Sequence, residues 1–163
     1  PHHYVCSDSH ERYFGDAAVS IVNPDCRHPA SSGGNGDSVV VAITYKGTSA
    51  LITSDIDEAA EERILRRGTP LRCTVMSAPH HGARTSSSAP FIDDADPDVV
   101  IFSCGVNNVF GFPSTETMRR YRRQGARCFR TDIDGAITVI IDNDATSIHT
   151  YKTRRNEYVR RPA

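Results

Sequence analysis

The chain has 163 residues, 38% apolar and 24% charged, with a formal net charge of −1. That length suits one ordinary domain around a single core, and the composition excludes a disordered acidic or basic tail. No stretch approaches the roughly 18–20 apolar residues of a membrane span, no leading segment reads as a signal peptide, and the near-neutral balance excludes a chain that is basic all over.

In chain order, residues 1–17 read as a polar, irregular segment, and residues 18–22 as a short strand closed by Asn23-Pro24. A Gly- and Ser-rich loop follows over 29–36. Residues 38–45 and 49–53 are β-branched runs joined through Lys46-Gly47, the pattern of a hairpin. The period then changes. Ile56, Ala60 and Ile64 recur every fourth position with Glu58, Glu61 and Glu62 on the other side, predicting an amphipathic helix that ends near Gly68. Strands are expected over 72–78 and 99–104, with a short helix over 88–94 between them. A second amphipathic helix spans 115–124 and stops at Gly125. Strands over 126–130, 136–141 and 147–151 follow, and residues 153–163 form a frayed basic tail. Strands with helices between them predict an α/β domain, a layered sandwich built on a mixed sheet, over residues 18–152.

The cysteines (Cys6, Cys26, Cys73, Cys104 and Cys128) are odd in number and far apart, with no C-x-x-C pair. Neither a zinc ribbon nor a disulfide framework is supported. Cys73, Cys104 and Cys128 lie in apolar runs and are expected to be buried thiols.

Residues able to do chemistry gather after predicted strands. Pro79-His80-His81-Gly82 is followed by Ala83-Arg84-Thr85-Ser86-Ser87-Ser88. One histidine at a strand end can reach a metal while its neighbour supports it or carries a proton. Arg84 and the hydroxyls and amides of Thr85 and Ser86 suit a phosphate; a surface loop capping the next helix accounts for the same residues. Asp55 ends an apolar strand where a helix begins, a place from which a carboxylate bridges metal ions. With Glu58 three residues on, it equally fits a capping box. A Gly- and Asn-rich loop carrying Asn107 and Asn108 follows the next strand, as site-lining loops often do. Arg119, Arg120, Arg122 and Arg123 crowd one helix, where they suit a phosphate backbone or a solvated face.

Taken together, the ordered blocks resemble one family. They are the hairpin from Asp37, the strand ending at Asp55, Pro79-His80-His81-Gly82, the loop from Gly105 to Ser114, and the stretches 125–132 and 134–139. They resemble the metallo-β-lactamase domain of ComEC-type DNA-uptake competence proteins over about residues 18–151. The resemblance implies a four-layered αββα sandwich with a two-metal site, of zinc or manganese, at one sheet edge. It implies that Asp55 is the bridging ligand and that His80 or His81 supplies a late histidine ligand. It implies hydrolysis of a phosphodiester in DNA by metal-bound hydroxide, with Arg84, Thr85, Ser86, Asn107 and Asn108 at the substrate. The resemblance implies either the extracytoplasmic part of a bacterial membrane DNA-uptake protein or, otherwise, a cytoplasmic domain.

Departures qualify the match. The family's His-x-His-x-Asp-His motif is absent, and His2, His3, Asp8 and His10 do not reproduce its spacing. Ser54 stands where glycine usually precedes the aspartate, Phe112 interrupts the usual Gly-His-Pro, and Asp37-Ser38 replaces an Asn-x-Ser entry. Three accounts follow: a C-terminal portion of the domain lacking its N-terminal half, a degenerate module that binds nucleic acid or a partner without catalysis, or a site completed by a second chain. In each, the isolated chain is expected to be metal-free or to bind metal weakly.

Overall fold

The computed structural model describes residues 11–25, 34–142 and 145–160. The expectations about His2, His3, Asp8, His10, Cys6, Cys26 and most of the Gly/Ser-rich loop fall outside them. The anticipated hairpin forms from β3 (Val40–Tyr45) and β4 (Thr48–Ile52), paired from Tyr45↔Thr48 onward. Its two-residue turn places Lys46 at φ 46° and Gly47 at φ 79°, the double left-handed conformation that matches strand twist. Upstream, β1 (Arg12–Phe14) and β2 (Ala17–Asn23) continue the antiparallel order.

Beyond β4 the chain winds through α1 (Glu58–Arg66), β5 (Val75–Ser77), α2 (Ala89–Ala95), β6 (Val99–Phe102), α3 (Thr115–Arg123) and β7 (Arg127–Arg130). β4 to β7 are parallel, each connection carrying a helix, so a seven-stranded mixed sheet runs in the order β1-β2-β3-β4-β5-β6-β7. After β7 comes one helical turn, α4 (Thr131–Asp134). It leads into an antiparallel three-stranded sheet of β8 (Ile137–Ile141), β9 (Ala145–Thr150) and β10 (Asn156–Arg160), in the order β10-β9-β8.

Two apolar clusters define three layers. Ile64 of α1, Phe91 and Ile92 of α2, and Met118 and Tyr121 of α3 pack with Leu51, Met76 and Val100 on one face of the large sheet. On the other face, Val75, Val99 and Phe129 meet Ile148 and Val159 of the small sheet. The order is helices, seven-stranded sheet, three-stranded sheet. This is the expected mixed-sheet α/β sandwich; a second helical layer is not found among the described residues.

Three expectations are corrected. Residues 12–14, placed in an irregular segment, are a strand. The tail expected to fray contains β10, registered on β9 from Asn156↔His149 to Arg160↔Ala145. Arg155 anchors it, bonding Glu157 at 3.0 Å through Nε and lying 4.4 Å over the Phe129 ring, while Val159 enters the core. Glu61, assigned to the polar side of α1 with Glu58 and Glu62, is fully buried.

Candidate functional site

The carboxyl ends of β4, β5, β6 and β7 open on one edge of the large sheet, the side on which ligands gather in open α/β sheets. Four loops meet there, and their backbones are held before any side chain is considered. After β4, Thr53 is locked to the end of β5: its N–H donates to Ser77 Oγ at 2.9 Å and its hydroxyl to the Ser77 carbonyl at 2.7 Å. Ser54 is left-handed at φ 48°, and its carbonyl accepts the His80 N–H at 2.9 Å. Asp57, not Asp55, caps α1, accepting the Ala60 N–H at 2.9 Å. The capping-box account of Asp55 with Glu58 therefore does not hold, and Asp55 faces the next loop instead.

That loop begins as a tight turn, Pro79–Gly82, in which His80 (φ 47°) and His81 (φ 57°) are both left-handed. For L-residues each such conformation costs about 1–2 kcal/mol, and side chains so held cluster where geometry matters more than local stability. The turn brings His81 Nε2 to 3.3 Å from Asp55 Oδ1, with both side chains about half exposed. His80 points elsewhere. Its Nδ1 lies 3.3 Å from Asn35 Nδ2 and its ring meets Phe112 edge-on at 5.7 Å. Gly82 is required by space as well as by φ 83°, because a Cβ there would lie 2.7 Å from Phe102 and from Pro113.

The rest of this loop is a brace. Glu61 accepts the Ser87 N–H at 2.5 Å and the Ser88 N–H at 2.8 Å, while Arg120 of α3 donates to the Ser87 carbonyl at 3.0 Å. The buried Tyr121 hydroxyl lies 3.0 Å from Ser87 Oγ. Burial pushes the Glu61 carboxyl above the usual glutamate range, outweighing the N–H bonds that favour its charge. Ser86, expected at the substrate, is buried and donates its hydroxyl to the Pro79 carbonyl at 2.9 Å. Asn108 is likewise turned inward. Its amide donates to the Gly105 and Phe112 carbonyls and accepts the Phe112 N–H at 2.8 Å, stapling its own loop. Arg84, Thr85 and Asn107 are exposed.

Beside the histidine turn lies a cleft of about 670 Å³ between the stapled loop and α3. Arg84, Arg119, Arg120 and Arg123 line it against a single carboxylate among the described residues, Glu116. Arg120 bonds Glu116 at 2.7 Å and holds its carboxyl below the usual range, with Arg84 and Arg119 contributing. Arg84, Arg119 and Arg123 make no salt bridge among the described residues. The sequence reading passed over two further features. Phe110 and Phe112 are stacked at 5.5 Å and 20°, and Phe112 lies over His81 at 6.4 Å and 26°. Phe112 had drawn notice only as an interruption of a motif, and Phe110 not at all.

The structure thus joins Asp55 with His81, sets His80 one ring away, and places Arg84 in the cleft. Among the described residues no group of three or more His, Cys, Asp or Glu is arranged to hold a metal ion. A zinc site takes three or four protein ligands, and the Asp55–His81 pair by itself would supply two.

Comparisons find similarity to proteins named for competence and recombination. It is 34% identical over 104 residues to Competence protein ComA of Neisseria gonorrhoeae, covering 63% of this chain and 15% of that protein. It is 26% identical over 136 residues to ComE operon protein 3 of Bacillus subtilis, covering 83% and 17%. To Recombination protein 2 of Haemophilus influenzae it is 28% identical over 149 residues, covering 91% and 18%. The chain therefore spans less than a fifth of the length of these relatives. No family model matches it. A crystal structure of a diphosphatase from the PhnP family aligns with TM-score 0.37 and 15% identity over 81% of this chain and 56% of that one.

Proposed function

We propose that this chain is the substrate-holding part of a metallo-β-lactamase-type phosphodiesterase that acts on DNA during uptake. The observation that carries the reading is the adjacency of the Asp55–His81 pair, 3.3 Å apart, to an arginine-lined cleft at the carboxyl edge of a parallel sheet. The relationship to competence proteins supports DNA as the polyanion.

The described residues do not fit a complete two-metal site. Asp55 and His81 offer an oxygen and a nitrogen to such a site, and further donors would come from outside the described residues. This chain's own contribution is binding and orientation. Arg84, Arg119 and Arg123 attract and orient phosphates, and the Asp55 carboxylate, 3.3 Å from His81 Nε2, fixes the imidazole that Phe112 stacks on. Replacing Asp55 by Ala in the complete protein is expected to abolish degradation of end-labelled DNA while leaving folding intact. Undiminished degradation would sink the assignment.

A second reading, a non-catalytic module that binds nucleic acid, is favoured by a donor pair rather than a full set, beside arginines that make no salt bridge, among the described residues. DNA degradation by the complete protein, lost in Asp55→Ala, separates the two readings, and metal content of the 163-residue chain after dialysis against trace zinc tests the donor count. Well under one metal per chain is expected, and near two would show an unconventional set that the Asp55–His81 pair alone does not describe.

A further inference from the structure

The geometry points to a base-stacking platform: Phe110, backed by Phe112, receives an unpaired base of a single strand whose phosphates lie along Arg84, Arg119 and Arg123. This rests on the reading of the cleft as a nucleic-acid surface and adds what that reading leaves open, the strandedness of the substrate and the residue that selects it.

Three observations carry it. First, Phe110 is 74% exposed, an uncommon state for a phenylalanine, and it lines the same cleft as the arginines. Second, it is not a loosely held side chain. One of its faces is stacked on Phe112, which is stacked in turn on His81, so three near-parallel rings lead from the cleft to the Asp55–His81 pair. Third, the loop that presents it is fixed. Asn108 ties residues 105 and 112 together, Gly111 (φ 67°) turns the chain with its N–H on the Asn108 carbonyl, and the Ser114 N–H is held by the Gly82 carbonyl at 2.9 Å. An aromatic face fixed beside unpaired cations is how single strands are bound without sequence preference, since every base has a π-face. A duplex keeps its bases stacked on one another and offers none to such a ring.

The polar inventory agrees. Among the described residues Glu116 is the one carboxylate lining the cleft, and Arg120 holds it. That leaves Arg84, Arg119 and Arg123 for phosphate. Valines flank the platform on the exposed loop, Val109 at 92% exposure and Val106 at 66%. They would also suit a protein partner, but four arginines behind the ring favour a polyanion.

The test is binding of the full chain in EDTA, where cleavage plays no part, followed by fluorescence anisotropy. Probes are a labelled twelve-nucleotide oligothymidylate, the same length of abasic deoxyribose phosphate, and a blunt duplex. Oligothymidylate is expected to bind about tenfold more tightly than the abasic strand and more tightly than the duplex. Phe110→Ala should remove that preference without changing abasic binding, and Phe110→Trp should restore or exceed it. Equal binding of oligothymidylate and abasic strand, both lost in Arg119→Glu/Arg123→Glu, overturns the platform while leaving the phosphate cleft standing. No binding of any probe overturns both.

Discussion

Glu61 offers the most stringent test of how the site is built. Its carboxylate is fully buried and accepts two backbone N–H groups from a loop 26 and 27 residues further along the chain. Hydrogen bonds to a charged group contribute about 1.5–3 kcal/mol each, and a buried N–H left without a partner costs about 1–3 kcal/mol. Glu61→Ala orphans the N–H of Ser87, which is buried, and that of Ser88, which is partly so, for an expected loss of about 3–4 kcal/mol. Glu61→Gln keeps one acceptor but turns an amide NH₂ toward the other N–H, for about 2 kcal/mol. The pH dependence gives a second readout. Because burial raises the carboxyl above its ordinary value of 4.5, the folded state binds more protons than the unfolded one between that value and the raised one. Stability owed to Glu61 is therefore greatest at the acid end and declines as pH climbs through that window. Urea midpoints at unchanged slope measure both effects. The gap between the parent and Glu61→Gln should narrow from acid to neutral pH. A loss under 0.5 kcal/mol, with a gap insensitive to pH, would refute the claim that this side chain anchors the histidine loop.

Two other perturbations follow from the same geometry. Gly82→Ala combines a left-handed backbone with a Cβ driven to 2.7 Å from Phe102 and Pro113. It should cost about 2–5 kcal/mol in thermal or denaturant unfolding, and a neutral result would mean the turn is not seated against Phe102. Asp57→Ala should cost about 1 kcal/mol through loss of the α1 cap, whereas Asp55→Ala should move stability by less than 0.5 kcal/mol; the reverse order would return Asp55 to the helix.

The parts legible in the sequence were those governed by neighbours along the chain. The 46–47 turn, the repeat of Ile56, Ala60 and Ile64 at every fourth position, and the stop of α3 at Gly125 each signal through local chemistry, and each is found close to where it was expected. Misreadings came where distant groups decide. Glu61 looked solvated because its partners, Ser87 and Ser88, approach from another loop. Ser86 and Asn108 looked like ligand contacts because polar residues in loops usually face water, yet the backbone of two tight loops claims both. Residues 154–160 read as frayed because Arg154, Arg155 and Arg160 hide the alternation that places Val159 inward and pairs Arg155 with Glu157. The choice between Asp55 and Asp57 as cap turned on two residues of register, finer than sequence spacing resolves.

The layering has a consequence for how the molecule opens. The small sheet covers β4 to β7, while the same face of the antiparallel half, where Ile21 pairs with Val41 and Val19 with Ile43, is only half-buried. The protein is thus three layers thick at one end and two at the other among the described residues. Amide protons in β1 and β2 should trade with solvent deuterium well before those of β5 and β6. Loosening should therefore start at the thin end and reach the edge carrying Asp55 and His81 late, so the site would outlast the strands that precede it in the chain.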